Sequence, residues 1–283
     1  MVDIMSTVNR ALSIKKVGFI GLGDQGAPIA RRMIQAGLHV SLWARRPDTL
    51  QPFAGTEAEL HDDFDTFAGC VDCVGICVVD DEGVKQVCDR LIPKLHPGSI
   101  IVIHSTVSPT LCRKLAQDAA DFDIKLIDAP VSGGSPAAEA GTMTVMVGGD
   151  PSVLSEVRFV FETFARLVTH LGGVGSGQHA KLINNALLAA NMGVAYKALV
   201  AADALSLDKA AFIELVKASS GQSFGFDVCA KLPTPNAFHH GASLLVKDVA
   251  LLGAALNGHE SFETIDDAAS AFLNDAFAPS GQD

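Results

Sequence analysis

From residue 16 to residue 171, short apolar runs alternate with longer stretches whose apolar residues recur every three or four positions. The runs at 16–20 (KVGFI), 38–43, 72–79, 100–104 and 125–128 are close to continuously hydrophobic. Runs of that length and composition read as strands buried on both faces of a parallel sheet. The stretches at 27–35, 82–91, 109–120 and 151–164 have helical periodicity. Segment 142–147 (TMTVMV) alternates between glycines, and 167–171 reads as the strand that closes the sheet. Strands alternating with helices predict an α/β domain built on a doubly wound sheet. Ligands bind such sheets beyond the carboxyl ends of the strands, so the loops after Ile20, Val79, His104 and Asp128 are the ones to inspect.

After the glycine-rich segment 172–177 no strand pattern returns. Segment 175–205 is apolar over most of its circumference, has no proline, and reads as one helix. At a rise of 1.5 Å per residue it is roughly 40 Å long, enough to run from one domain into the next. Helical segments at 208–219, 222–231, 242–256 and 262–276 follow. The predicted organisation is a loose tail (1–15), a sheet domain (16–174), and an all-helical domain (175–283) entered through the long interdomain helix. The apolar faces of the helical part exceed what so short a domain covers by itself, which predicts a homodimer or homotetramer. On the long helix, Lys181, Asn185, Leu188, Met192 and Tyr196 share one face. A lysine at the mouth of an apolar helix is costly unless it snorkels to water or has chemical use.

Composition narrows the function. Only 19% of residues are charged and 48% are hydrophobic, which excludes a disordered chain. The net charge of -11 argues against nucleic acid and anionic membrane as partners. The long helix carries Asn184, Asn185, Asn191 and Lys197, which argues against lipid. No secretory pattern opens the chain, and a reduced, cytoplasmic setting is expected. Cys70, Cys73 and Cys77 lie together in CVDCVGICVV. That run reads as a buried strand with no second cysteine or histidine pair, so no metal is predicted.

The run at 16–20 leads directly into Gly21-Leu22-Gly23-Asp24-Gln25-Gly26 and then into a helix. Strand, glycine turn, helix and strand in this order form the dinucleotide-binding fingerprint of a Rossmann-type domain. Gly21 makes the tight turn, Gly23 admits a pyrophosphate close to the backbone, and Gly26 lets helix and strand pack. The helix N-terminus supplies N–H groups and partial positive charge to the phosphates. Asp24 must then point away from the pyrophosphate. NAD-binding units place a carboxylate at the end of the second strand, but here the strand runs into Ala44-Arg45-Arg46. Two arginines suit a 2′-phosphate, which predicts NADP in preference to NAD.

Further motifs follow in a fixed order: His104-Ser105-Thr106-Val107-Ser108-Pro109, Asp128-Ala129-Pro130-Val131-Ser132-Gly133-Gly134, GTMTVMVGG at 141–149, GSGQHAKLINN at 175–185, and Val246-Lys247-Asp248. Together with GLGDQG they resemble the β-hydroxyacid dehydrogenase family from about Val17 to about Leu252. The resemblance implies that Ser132, Gly133 and Gly134 hold the substrate carboxylate. It implies that Asn185 holds the substrate and that Thr106 lies near both substrate and nicotinamide. Val78 and Val79 occupy the cofactor-lining loop, where the family often has Leu-Pro. Lys181 matches the catalytic lysine, which gives or takes the proton of the substrate oxygen. Lys247 matches a second lysine beside the cofactor, and a cation near Lys181 would lower its proton affinity. The implied activity is hydride transfer between nicotinamide and a small 3-hydroxy acid of the 3-hydroxyisobutyrate type, or its semialdehyde. Reduction of glyoxylate or succinic semialdehyde is the nearest alternative. Imine reduction, or cofactor binding without turnover, would not call for Lys181 beside the Ser132–Gly134 loop.

Overall fold

The computed structural model describes residues 14–277. The tail expected at 1–15 lies, up to residue 13, outside the described residues. Those residues fall into two compact units that divide between Lys181 and Leu182.

In the first unit the five apolar runs become strands because each can be buried on both faces. They are β1 (Val17–Ile20), β2 (Val40–Trp43), β4 (Cys73–Ile76), β5 (Ile100–Ile103) and β6 (Lys125–Asp128). A short β3 (Glu59–His61) completes a parallel six-stranded sheet of order β3-β2-β1-β4-β5-β6. Alternate residues feed two cores. Val17, Phe19, Ile100 and Val102 pack on one face, and Ile20, Ile76, Ile101 and Ile103 on the other. Around them run α1 (Gly26–Gln35), α2 (Phe64–Gly69), α3 (Asp81–Leu91) and α4 (Pro109–Ala120). Asp63, Asp80 and Ser108 cap the last three by accepting backbone N–H bonds from Thr66, Gly83 and Leu111.

The sheet does not close as the sequence suggests. β7 (Val131–Ser132), β8 (Met143–Val147) and β9 (Ala165–His170) form a separate three-stranded sheet, β7 antiparallel and β9 parallel to β8. The break follows from Pro130, which has no N–H to continue a ladder. A single bridge between Asp128 and Gly148 links the two sheets. Helices α5 (Gly134–Ala140) and α6 (Pro151–Phe161) connect the strands of the second sheet. β3 and α2 are not anticipated in the sequence, because a three-residue exposed edge strand leaves no apolar run.

The helix α7 (Ser176–Ala204) gives its first turns to the first unit and the remainder to the second. By length and composition it could cross a bilayer, and 39% of its most apolar window is buried within the protein. The second unit contains no strand among its described residues. It adds α8 (Lys209–Lys217), α9 (Phe224–Cys229), α10 (His239–Leu256) and α11 (Ser261–Ala276). Leu182, Ala186, Ala189, Met192 and Ala195 of α7 form its core with Phe226, Leu245, Val249, Leu252, Ala269 and Phe272. The helices approach closely at Gly193, where a Cβ would stand 1.7 Å from the Ala268 carbonyl oxygen. The rest of α7 is not interior as its composition implies. Ile183, Leu187 and Val194 face outward on the side opposite that core.

Candidate active site

The turn after β1 is shaped for a phosphate. Gly21 has φ +97, and a Cβ there would lie 2.1 Å from the carbonyl oxygen of Cys77. At Gly26 a Cβ would lie 1.8 Å from the carbonyl oxygen of Gly21. These two glycines are required by the protein itself. Gly23 is not, since a Cβ there meets no protein atom within 4 Å and would only fill the space over the turn. The Gln25 side chain does not cap α1 and no acidic residue lies in its first turn, which suits an anion at its amide end. The turn therefore fits a dinucleotide pyrophosphate. Arg45 and Arg46 follow β2 and are exposed, with no ion-pair partner among the described residues.

The neighbouring loops are tied to this turn and to each other. Val78 donates its backbone N–H to Ser105 Oγ at 2.8 Å, linking the loops after β4 and β5. Val79 is exposed. His104 is buried among Phe19, Phe161 and Phe164 and bonds the Ala129 carbonyl through Nδ1 at 2.8 Å. A carbonyl only accepts, so that nitrogen carries the proton. Burial pushes the imidazole down to about 4, so His104 is a neutral packing residue. Half-buried Thr106 sits between two anchored neighbours. Gln178 of α7 donates to the Ser105 carbonyl at 2.8 Å and accepts from the Val107 N–H at 3.1 Å.

Asp128, at the carboxyl end of β6, fixes the start of α7. Its carboxylate accepts the Gly175 N–H at 2.6 Å and the Gln178 N–H at 2.8 Å. A negative group at a helix N-terminus is favourable, yet burial pushes this carboxyl up to about 6 against those bonds. Asp128 and Gln178 together set α7 against the Ser105–Val107 loop. One turn beyond Gln178 stands Lys181, only 7% exposed. The Ser132–Gly134 loop leaves the same strand end, with Ser132 paired to Thr144 and Gly133 at φ +127.

The second unit holds the other two expected residues. Asn185 Nδ2 donates to Asp248 Oδ2 at 2.6 Å, and its Oδ1 accepts from Asn184 at 3.1 Å. Lys247 Nζ lies 3.4 Å from Asp248 Oδ1. That oxygen is buried and makes no hydrogen bond, because the ammonium is close enough for attraction but misaligned for bonding. Asn185 thus makes an interhelical bond, and Asp248 orients both residues. The roles of Asp128, Gln178 and Asp248 are not signalled in the sequence. For Asp128 the partners lie 47 and 50 positions away, and no local spacing signals them.

Residues 16–172 match the family described as the NAD binding domain of 6-phosphogluconate dehydrogenase. Residues 175–282 match that described as the NAD-binding domain of NADP-dependent 3-hydroxyisobutyrate dehydrogenase. The NAD-dependent L-serine dehydrogenase of Pseudomonas aeruginosa is 32% identical over 260 residues, 88% of this chain and 87% of that protein. The chain belongs to the β-hydroxyacid dehydrogenase family. The mitochondrial 3-hydroxyisobutyrate dehydrogenase of Drosophila melanogaster is 31% identical over 271 residues, covering 92% and 83% of the two chains. The solved structure of Mycobacterium tuberculosis 3-hydroxyisobutyrate dehydrogenase with L-serine superposes with a TM-score of 0.81. It is 27% identical and covers 93% of this chain and 95% of that one. As a β-hydroxyacid dehydrogenase, the protein is an oxidoreductase with a nicotinamide-dinucleotide-binding domain.

Proposed function

We propose that this dehydrogenase interconverts a small 3-hydroxy carboxylate and its semialdehyde, with NADP preferred over NAD. The observation that carries the reading is Lys181: a buried lysine on a helix whose start is tied by Asp128 and Gln178 to the loop bearing Thr106. L-Serine and 3-hydroxyisobutyrate, named for the relatives, share a primary alcohol one carbon from a carbon that bears the carboxylate. That common unit is the substrate class proposed here, and it favours this class over glyoxylate.

A nicotinamide bound there would supply the hydride acceptor for the alcohol carbon in oxidation and the hydride donor in reduction. The Gly21–Gly26 turn and the amide end of α1 would hold the pyrophosphate. Val78 and Val79 would line the cofactor, and the family resemblance assigns Lys247 to it as well. Arg45 and Arg46 would grip the 2′-phosphate; no carboxylate competes at the end of β2. Ser132, Gly133 and Gly134 hold the substrate carboxylate through hydroxyl and amide donors. Thr106 would orient the alcohol, and the family resemblance assigns Asn185 to the substrate as well. In oxidation the unprotonated amine of Lys181 takes the hydroxyl proton as the hydride departs; in reduction its ammonium returns it. All six cysteines are unpaired, consistent with a cytoplasmic enzyme.

The test is a panel of small 3-hydroxy acids and semialdehydes assayed with both cofactors. Lys181→Ala is expected to lower kcat by about a factor of 10² to 10⁴, with cofactor binding retained in a fluorescence titration. Turnover at the wild-type rate would remove the proton-transfer role. Arg45→Ala with Arg46→Ala is expected to weaken NADPH at least tenfold more than NADH, on the order of one lost charge-assisted contact. Equal losses would refute the 2′-phosphate assignment.

A further inference from the structure

At the β3 edge of the sheet, two strands away from β1 and its glycine turn, three side chains of different chemistry converge. Glu59 and His61 are two apart on the edge strand β3, so their side chains share a face. Cys70 ends α2. One donor atom from each lies within 4.8 Å of the other two. His61 Nε2 is 3.8 Å from Cys70 Sγ and 3.6 Å from Glu59 Oε2. A tetrahedral zinc ion with nitrogen and oxygen ligands at about 2.1 Å and sulfur at about 2.3 Å separates N from S by about 3.6 Å and N from O by about 3.4 Å. The observed separations match those within a few tenths of an ångström. A nucleophile–base–acid relay is excluded, because both neighbours approach the same nitrogen of His61, whereas a relay uses both ring nitrogens.

We propose that Glu59, His61 and Cys70 form a binding site for a zinc-like divalent cation, separate from the dinucleotide site. A mixed nitrogen, sulfur and oxygen set suits Zn²⁺ and excludes Mg²⁺ or Ca²⁺, which take oxygen ligands. The fourth position goes to water. Glu59 is exposed over 56% of its side chain, which gives the ion an entry path, while His61 at 12% is held in place. Lys16 Nζ pairs with Glu59 Oε2 at 2.7 Å. The other carboxylate oxygen remains for that ammonium once the ion takes Oε2. Buried Ser41 Oγ, 3.7 Å from the sulfur, supplies an outer partner. Binding converts the Cys70 thiol to thiolate and releases one proton. The ion fastens β3, held by one neighbouring strand, to the segment that leads into β4. Cys73 and Cys77, close to Cys70 in sequence, lie in or beside buried β4 and take no part in the cluster.

The experiment uses the tag-free full chain, stripped by chelator, titrated with Zn²⁺ and desalted for elemental analysis. One equivalent retained per chain is expected, and a thermal midpoint raised by excess Zn²⁺. Co²⁺ as a probe should give a thiolate-to-metal absorption band. Cys70→Ser should abolish that band, and Cys70→Ser and His61→Gln should each weaken Zn²⁺ at least tenfold. Glu59→Gln alters an exposed side chain, and a weakened affinity in this folded variant supports the site even if the other two misfold. No stoichiometric retention by the wild type overturns the proposal. So does retention that none of the three substitutions changes. Neither result bears on the dehydrogenase activity.

Discussion

Asp128 performs two opposed tasks. Its charge holds the N-terminus of α7, and its burial makes that charge expensive. With the carboxyl raised from its ordinary 3.8 to about 6, the folded state binds the proton more tightly than the unfolded one. Its contribution to stability therefore grows as pH falls from about 6 to 3.8. His104 runs the other way. Lowered from 6.5 to about 4, it contributes stability above 6.5 that is lost as pH falls through 4. Each effect amounts to about 3 kcal/mol, so the two nearly cancel in mild acid. Asp128→Asn removes one side of the balance. The variant is expected to lose stability steeply between pH 6.5 and 4 in urea titrations, where the wild type changes little. At pH 7 it should also be weaker by about 1–3 kcal/mol, because an amide cannot accept both N–H bonds with the same geometry. A variant with the wild-type pH dependence would contradict the assignment of the raised group to Asp128.

At the scale of elements, the β1–α1 turn separates folding from binding within six residues. Gly21 and Gly26 face backbone oxygens, while Gly23 faces no protein atom within 4 Å. Gly26→Ala should lower the thermal midpoint by several degrees, about 1–3 kcal/mol of strain. Gly23→Ala should melt like the wild type and yet bind dinucleotide at least tenfold more weakly, about 1.4 kcal/mol. A calorimetric scan paired with a cofactor titration distinguishes the two, and a Gly23→Ala chain with normal affinity would dismiss the pyrophosphate from this turn. Elements of this kind are legible from sequence because they are local. A buried parallel strand leaves an unbroken apolar run, and the helix at Pro109–Ala120 is announced by Ser108 and Pro109. What escapes is long-range or exposed. The second sheet depends on where the chain goes after Pro130, β3 has no apolar signal, and the Asp128 and Gln178 contacts span 47 to 73 positions. The Lys181 and Asn185 face was legible as a spacing of four, but the Asp248 carboxylate that orients Asn185 was not.

At the scale of the whole molecule, the outward face of α7 bears on assembly. Ile183, Leu187, Ala190, Val194, Lys197 and Ala201 follow one another at intervals of four and three, the spacing of a helix seam. Ile183, Leu187 and Val194 are each more than half exposed. Covering them gains about 1 kcal/mol apiece, roughly 6 kcal/mol when a two-fold axis presents the stripe twice. Association costs about 4–15 kcal/mol, so the stripe alone is marginal. Leu205, Leu215 and Phe224 of the same unit are exposed as well. A homo-oligomer is therefore expected, with α7 central to it. Light scattering on the eluting wild-type peak should give a mass of two or four chains. Leu187→Glu with Val194→Glu places two charges on each copy of the seam and should yield monomer, while leaving the far-side core of Leu182, Ala186 and Met192 intact. The monomer should then show its own cooperative melt, because the substitutions touch nothing that the isolated chain buries. A wild-type peak of single-chain mass would remove assembly as the reason for the outward apolar face.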